Sequence, residues 1–280
     1  MNEWQRNAVF GPVAVVLLWG PHLAWAIDAW RRKHGDEVRR WLMAIGELEG
    51  FGSLAAYRYE HPADPFPELD PSLVAVFEGR DIGHPLLSSA RMVRNDVSFA
   101  PPTRLFVVSG SNMSGKSTLL RTIGVNTVLA LAGAPVRASR LRLSALSVGA
   151  TLRIQDSLLE GRSRFYAEIT RIRELTDATL GDRPLLFLLD ELFHGTNSHD
   201  RLTGAAGVLR VLLERGAIGL VTTHDLALTA VAEELQPLAR NVHFEDRFEH
   251  DVLTFDYRLR PGVVRTGNAI PLMRSVGLDV

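Results

Sequence analysis

The stretch Arg104-Leu-Phe-Val-Val-Ser-Gly-Ser-Asn-Met-Ser-Gly-Lys-Ser-Thr118 decides how this chain is read. Its apolar run, Leu105 to Val108, has the length and unbroken hydrophobicity of a strand buried on both faces. The next residues, from Gly110 through Ser111, Asn112, Met113, Ser114, Gly115 and Lys116 to Ser117, fit the pattern G-x-x-x-x-G-K-[ST] without a mismatch. The spacing has a mechanical reason. Glycines let the backbone curl so that successive N–H groups point inward at phosphate oxygens, and a helix starting near Lys116 adds the positive end of its dipole. In such a loop Lys116 reaches the terminal phosphates of ATP, the Ser117 hydroxyl takes a position on Mg2+, and Thr118 completes the nucleotide-facing set. The apolar run from Leu119 to Leu131 supplies the helix.

Farther along, Leu185-Leu-Phe-Leu-Leu189 is a second buried strand, ending in Asp190-Glu191. Two adjacent carboxylates at a strand tip divide the work in ATPases of this kind: Asp190 holds the Mg2+ shell and Glu191 orients or polarises the attacking water. A third apolar strand, Gly219 to Thr222, leads to Thr223-His224-Asp225 and brings His224 to the same sheet edge, where it reads as a γ-phosphate sensor. Taken singly, these features have ordinary explanations, a strand-end turn and a surface histidine. Beside the glycine loop they form one constellation.

Composition agrees with a globular enzyme: 46% hydrophobic and 22% charged residues in 280 exclude a disordered chain and leave ample material for a core. A formal charge of -1 supplies no global attraction to nucleic acid, so any DNA contact needs a local patch or a partner. The absence of cysteine excludes disulfides, thiolate catalysis and cysteine-zinc sites, and fits a reducing cytoplasm. Of the 31 basic residues only Lys33 and Lys116 are lysine. A chain that otherwise uses arginine keeps a compact ammonium inside the phosphate loop, where a planar guanidinium fits poorly.

Residues 1–70 read as a helical arm and 71–280 as the catalytic domain. From Trp25 to Tyr59 apolar residues recur at helical spacing, with Arg31, Arg32, Arg39 and Arg40 between them as a solvated basic face. Residues 8–30 are apolar enough to leave two readings: a buried or partner-facing helix, and a membrane-associated anchor. The clean run Val13 to Trp19 is shorter than the ~20 residues of a spanning helix. His61 to Pro71, with four prolines, ends the helical region. Beyond it, short apolar runs at Leu73 to Phe77, Leu105 to Val108, Leu185 to Leu189 and Ile218 to Thr222 alternate with helical patterns, which predicts an α/β fold with a mostly parallel sheet flanked by helices.

These residues resemble the MutS family of DNA mismatch repair proteins, whose ATPase domain is a P-loop NTPase of the ABC-ATPase type. The resemblance rests on five motifs in order. The loop and helix SGSNMSGKSTLLRTIGVNTVLALAGAPV is similar to the family's phosphate loop, and Gly161-Arg-Ser-Arg-Phe-Tyr-Ala-Glu168 to its signature segment. Leu189-Asp-Glu-Leu-Phe-His-Gly-Thr-Asn197 resembles the Asp-Glu strand with its Gly-Thr interface loop, Thr222-Thr223-His224 the Ala-Thr-His switch, and Gly79, Arg80, His84 and Pro85 a split Gly-Arg-His-Pro turn. The tail through Asn241, His243, Gly267 and Met273 is similar to the family's closing strands and helix. Threonine is usual in the family at Arg164, and arginine is common at His194.

The resemblance implies ATP hydrolysis with Mg2+ and a homodimer with composite sites, in which Ser163 contacts the nucleotide of the opposite subunit. It also implies a role in mismatch repair or a related DNA transaction, with DNA as a partner on this ground alone. No mismatch-reading or clamp segment is legible upstream of residue 71, so the sequence is either a piece of a longer protein or a short relative. Two other functions stay open: an ABC-type motor of a membrane system, against which the missing Leu-Ser-Gly-Gly-Gln motif counts, and a module that holds ATP without turnover.

Overall fold

The computed structural model describes residues 10–151, 164–193, 196–249 and 252–264. The chain divides into two compact units, Met1–Glu60 and His61–Val280.

In the first unit, α1 (Phe10–Val16) meets α2 (Trp19–Glu60) at a bend of 66°. At 42 residues α2 is about 63 Å long, given 1.5 Å per residue. It runs through several glycines, and pairs one turn apart support it: Arg32 to Asp28 at 2.5 Å, and His34 to Glu37 at 3.0 Å. Trp30, His34 and Trp41 form a small aromatic cluster on its surface. Pro62 stops the helix, because the residue before a proline is pushed out of the helical region. No residue of α2 is buried. Among the described residues no single helix is long and apolar enough to cross a membrane, although the bent pair together passes on length and composition.

The second unit runs β1 (Glu68–Asp70), β2 (Phe77–Ile82), β3 (Asn95–Phe99), β4 (Leu105–Ser109), α3 (Lys116–Leu131), β5 (Arg140–Ser144), β6 (Ser147–Ala150), α4 (Arg164–Ala178), β7 (Leu185–Asp190), α5 (Ser198–Glu214), β8 (Ile218–Thr223), a 3-10 turn (Leu226–Leu228), α6 (Thr229–Glu234), β9 (Ala239–Glu249) and β10 (Val252–Pro261). The main sheet has the order β10-β9-β4-β8-β7-β6, parallel except for the antiparallel β9–β10 hairpin at one edge. A smaller sheet, β1-β5-β2-β3, is mostly antiparallel. This is the mixed α/β architecture that the alternation of apolar strands and helices predicts.

Both faces of the main sheet are covered, which is why its central strands are apolar at nearly every position. Along β7, Leu186 and Leu188 pack with α3 and the small sheet, while Leu185, Phe187 and Leu189 pack with α4, α5 and α6. β4 alternates in the same way: Phe106 and Val108 face one core, Leu105 and Val107 the other. Gly219 of β8 stands opposite Phe187, and a Cβ there would lie 2.0 Å from the Phe187 carbonyl oxygen, so only glycine admits that approach.

One expected strand is displaced. The apolar run opens in a bend at Leu73 and Val74, Ala75 and Val76 are irregular, and the strand starts at Phe77. Asp70 Oδ1 accepts the Ser72 N–H at 2.8 Å, closing a turn at Asp70-Pro71-Ser72 that leaves Leu73 83% exposed and Val74 52% exposed. Turn chemistry overrides strand propensity there.

Candidate functional site

Parallel strands β4, β8 and β7 are neighbours, and all three end at one edge of the sheet. Each delivers a segment singled out in the sequence. β4 ends at Ser109 and passes into Gly110 (φ +152°), where a Cβ would stand 2.8 Å from Ser114 Oγ and 3.0 Å from the Phe244 carbonyl. Met113 (φ 69°) and Gly115 (φ 107°) hold the left-handed region as the loop wraps toward α3. The N-cap residue Gly115 offers no side-chain cap, so the first N–H groups of α3 stay available to an anion. Ser111 Oγ and Ser114 Oγ are buried without a hydrogen-bond partner. Two buried donors without acceptors in a glycine loop are what an oxyanion would satisfy.

Lys116 is 5% exposed, and its Nζ donates to the carbonyls of Gly110 at 2.8 Å and Ser111 at 2.9 Å. Burial pushes its ammonium below the ordinary amine range, opposed by the charges of Glu191, Asp190 and Asp246. Glu191 Oε1 lies 3.8 Å from Lys116 Nζ and 3.2 Å from His224 Nδ1. One carboxylate therefore joins the end of β7 to the glycine loop and to the residue after β8. Glu191 and Phe193 have positive φ values of 52° and 57°, strain that clusters where geometry serves function.

Side chains anchor the turn carrying the carboxylates, alongside the strand pairing of Asp190 with Thr222. The N–H of Asp190 donates to Thr151 Oγ1 at 3.1 Å, that of Glu191 to Thr222 Oγ1 at 3.1 Å, and that of Phe193 to Glu168 Oε1 at 2.5 Å. Beyond His224, Asp225 pairs with Arg201 at 2.6 Å and caps the 3-10 turn through the Ala227 N–H. That cap first, and Arg201 second, hold the Asp225 carboxyl below the usual range.

A cavity of about 570 Å3 opens beside the loop, within the size range of small-ligand sites. Ser111, Asn112, Met113, Gly115, Lys116, Ser117, Thr118 and Glu191 are among the residues that line it. Gly110 and Ser114 do not line it, and His224 borders an adjoining depression shared with Glu191. Ser163, together with His194 and Gly195 and the closing helix expected after Gly267, falls outside the described residues.

The cavity lining also includes Ile82, Leu87, Arg91, Val93, Asn95 and Tyr257, which have no counterpart among the residues singled out in the sequence. Tyr257, at a register shift in β10, sits against Gly115, where a Cβ would meet its ring at 3.1 Å. Asn95 holds it there: Nδ2 donates to the Tyr257 carbonyl at 3.0 Å, and Oδ1 accepts the Leu259 N–H at 2.7 Å. Partners 162 positions apart leave no local signal in the sequence.

Residues 106–279 match the family model described as MutS domain V. The DNA mismatch repair protein MutS of Natronomonas pharaonis is 31% identical over 249 residues, covering 87% of this chain and 28% of that protein. Endonuclease MutS2 of Thermus thermophilus is 33% identical over 196 residues, covering 70% of this chain and 25% of its own length. DNA mismatch repair protein MutS 2 of Haloarcula marismortui is 38% identical over 178 residues, 63% of this chain and 18% of that protein. The chain thus spans less than a third of the length of these relatives. With a family model covering the glycine loop, both carboxylates and His224, this chain belongs to the MutS family.

Proposed function

We propose that this chain binds and hydrolyses ATP as a MutS-type ATPase of the ABC class, a nucleotide switch serving mismatch repair or a related DNA transaction in the cytoplasm. The observation that carries the reading is Glu191 Oε1, set between the loop lysine and His224 at 3.8 and 3.2 Å. In this reading the loop N–H groups, Ser111 and Ser114 bind the phosphates. Lys116 neutralises charge on the terminal phosphates, Glu191 orients the attacking water, and His224 contacts the γ-phosphate. The Tyr257 face and the apolar wall of Ile82, Leu87 and Val93 shelter the base.

The oxygen donors fit Mg2+. Ser117 offers a hydroxyl and Asp190 a carboxylate, and among the described residues no group of three or more acidic, histidine or cysteine side chains gathers into an all-protein cage. Mg2+ favours that arrangement, one or two protein oxygens with the rest from phosphate and water. When bound, it offsets charge on the phosphate oxygens. Asp190 is held ready by the Thr222 hydroxyl at 2.6 Å.

The family reading also supports a homodimer with composite sites, Ser163 reaching the nucleotide of the second copy, and DNA as the regulated partner. Mg2+-dependent phosphate release tests the chemistry: Lys116→Ala should abolish it, and Glu191→Ala should retain ATP while losing turnover and accumulate a dimer in light scattering. Wild-type turnover in Glu191→Ala would remove the catalytic assignment. Anisotropy titrations on duplex and mismatched DNA across a salt series test the partner, since phosphate contacts must weaken as salt rises.

A further inference from the structure

Thr222 is a polar side chain near the strand ends to which the ATPase chemistry assigns no contact with nucleotide, water or metal. It is fully buried in β8, in register with Asp190 of β7 on one side and Val108 of β4 on the other. Its hydroxyl donates to Asp190 Oδ1 at 2.6 Å and accepts the Glu191 N–H at 3.1 Å. A hydroxyl has one proton and two lone pairs, so a single atom serves both neighbours at once. The bond to Asp190 is charge-assisted and fixes the carboxylate's rotation. With one bond accepted on Oδ1, the carboxylate keeps acceptor capacity for a cation. The bond from Glu191 ties down a peptide whose φ of 52° a non-glycine residue keeps only under constraint.

We propose that Thr222 is the positioning residue that sets both carboxylates together: it fixes the rotamer of Asp190 and the peptide plane from which Glu191 projects. The inference rests on the ATPase reading. A strand residue whose hydroxyl spans two consecutive residues of its neighbour couples the metal-holding oxygen to the water-orienting one, so that neither shifts alone. Thr151 and Glu168 secure the flanking N–H groups of Asp190 and Phe193, each through a backbone bond.

The test compares Thr222→Val with Thr222→Ser in the full chain. Valine keeps the β-branched shape and removes the hydroxyl, whereas serine keeps the hydroxyl. Thr222→Val should lower kcat about 10- to 100-fold, the range expected for a lost hydrogen bond to a charged group. The Mg2+ concentration giving half-maximal rate should rise. Binding of a fluorescent ATP analogue without Mg2+ should stay at the wild-type value, and Thr222→Ser should recover most of kcat. If Thr222→Val does not fold, Thr222→Ala takes its place in the same comparison. Wild-type kcat and Mg2+ dependence in the hydroxyl-free variant, or equal loss in Thr222→Ser, overturns the positioning role alone. A wild-type chain that releases no phosphate overturns the ATPase reading and this inference with it.

Discussion

Lys116 carries a burial cost that a bound phosphate group would relieve. Its folded-state pKa is depressed by burial, so the unfolded chain holds the proton more tightly. Stability of the nucleotide-free protein should therefore rise with pH between the folded value and the ordinary 10.5, and the charge should count against folding below that window. Replacing a buried ion with an apolar side chain of similar length is often neutral or stabilising. Lys116→Met should accordingly melt no lower than wild type without nucleotide, and lose the thermal shift that ATP gives wild type. A variant that melts lower in calorimetry counts against this account. At this scale the sequence is most legible where function needs contiguous residues. Gly110 to Ser117 can be read directly because one loop must supply the whole cradle. Thr222 is visible in the sequence only as a letter in a motif, since its role lies in two bonds to a neighbouring strand.

Among elements, the β9–β10 hairpin and β3 meet through the Asn95 amide, which spends both of its polar atoms on β10. Asn95→Ala removes both bonds and should cost about 1–2 kcal/mol of stability. It should also raise the KM for ATP more than it lowers kcat, because in the proposed site Tyr257 would contact the nucleotide away from the reacting phosphate. Equal KM in variant and wild type would detach Tyr257 from nucleotide binding. The α5–β8 junction is pH-sensitive in the same sense as Lys116, stability rising with pH, but at the acid end of the range. Asp225 has a depressed pKa, so its stabilising contribution is present above the unfolded value of 3.8 and is lost as pH falls through the folded one. Asp225→Asn should flatten the decline in melting temperature below about pH 4 that wild type shows. The strands at Leu105, Leu185 and Ile218 are legible from apolar runs alone, because burial on both faces leaves no other composition. The bend at Leu73 is not, because a three-residue turn at Asp70 outweighs the apolar run beside it.

Across the whole molecule, the two compact units differ in how they treat apolar surface. The second buries its large side chains in two cores, whereas α2 exposes Trp25, Ile27, Trp30, Trp41, Leu42, Ile45, Leu48 and Phe51. Exposure on that scale favours association. Residues 61–280 expressed alone should stay monodisperse and show the ATP-induced thermal shift, while the full chain self-associates in light scattering without detergent. Aggregation of the shorter chain would contradict the separation.

The scarcity of lysine adds a practical handle. Lys33 and Lys116 are the only side-chain amines in 280 residues, and Lys116, less basic than an ordinary lysine, is the one that lines the cavity beside the glycine loop. A phosphate-bearing aldehyde should form its imine there first, and a mass shift on a single peptide, suppressed by ATP, would report site occupancy without any enzymatic assay.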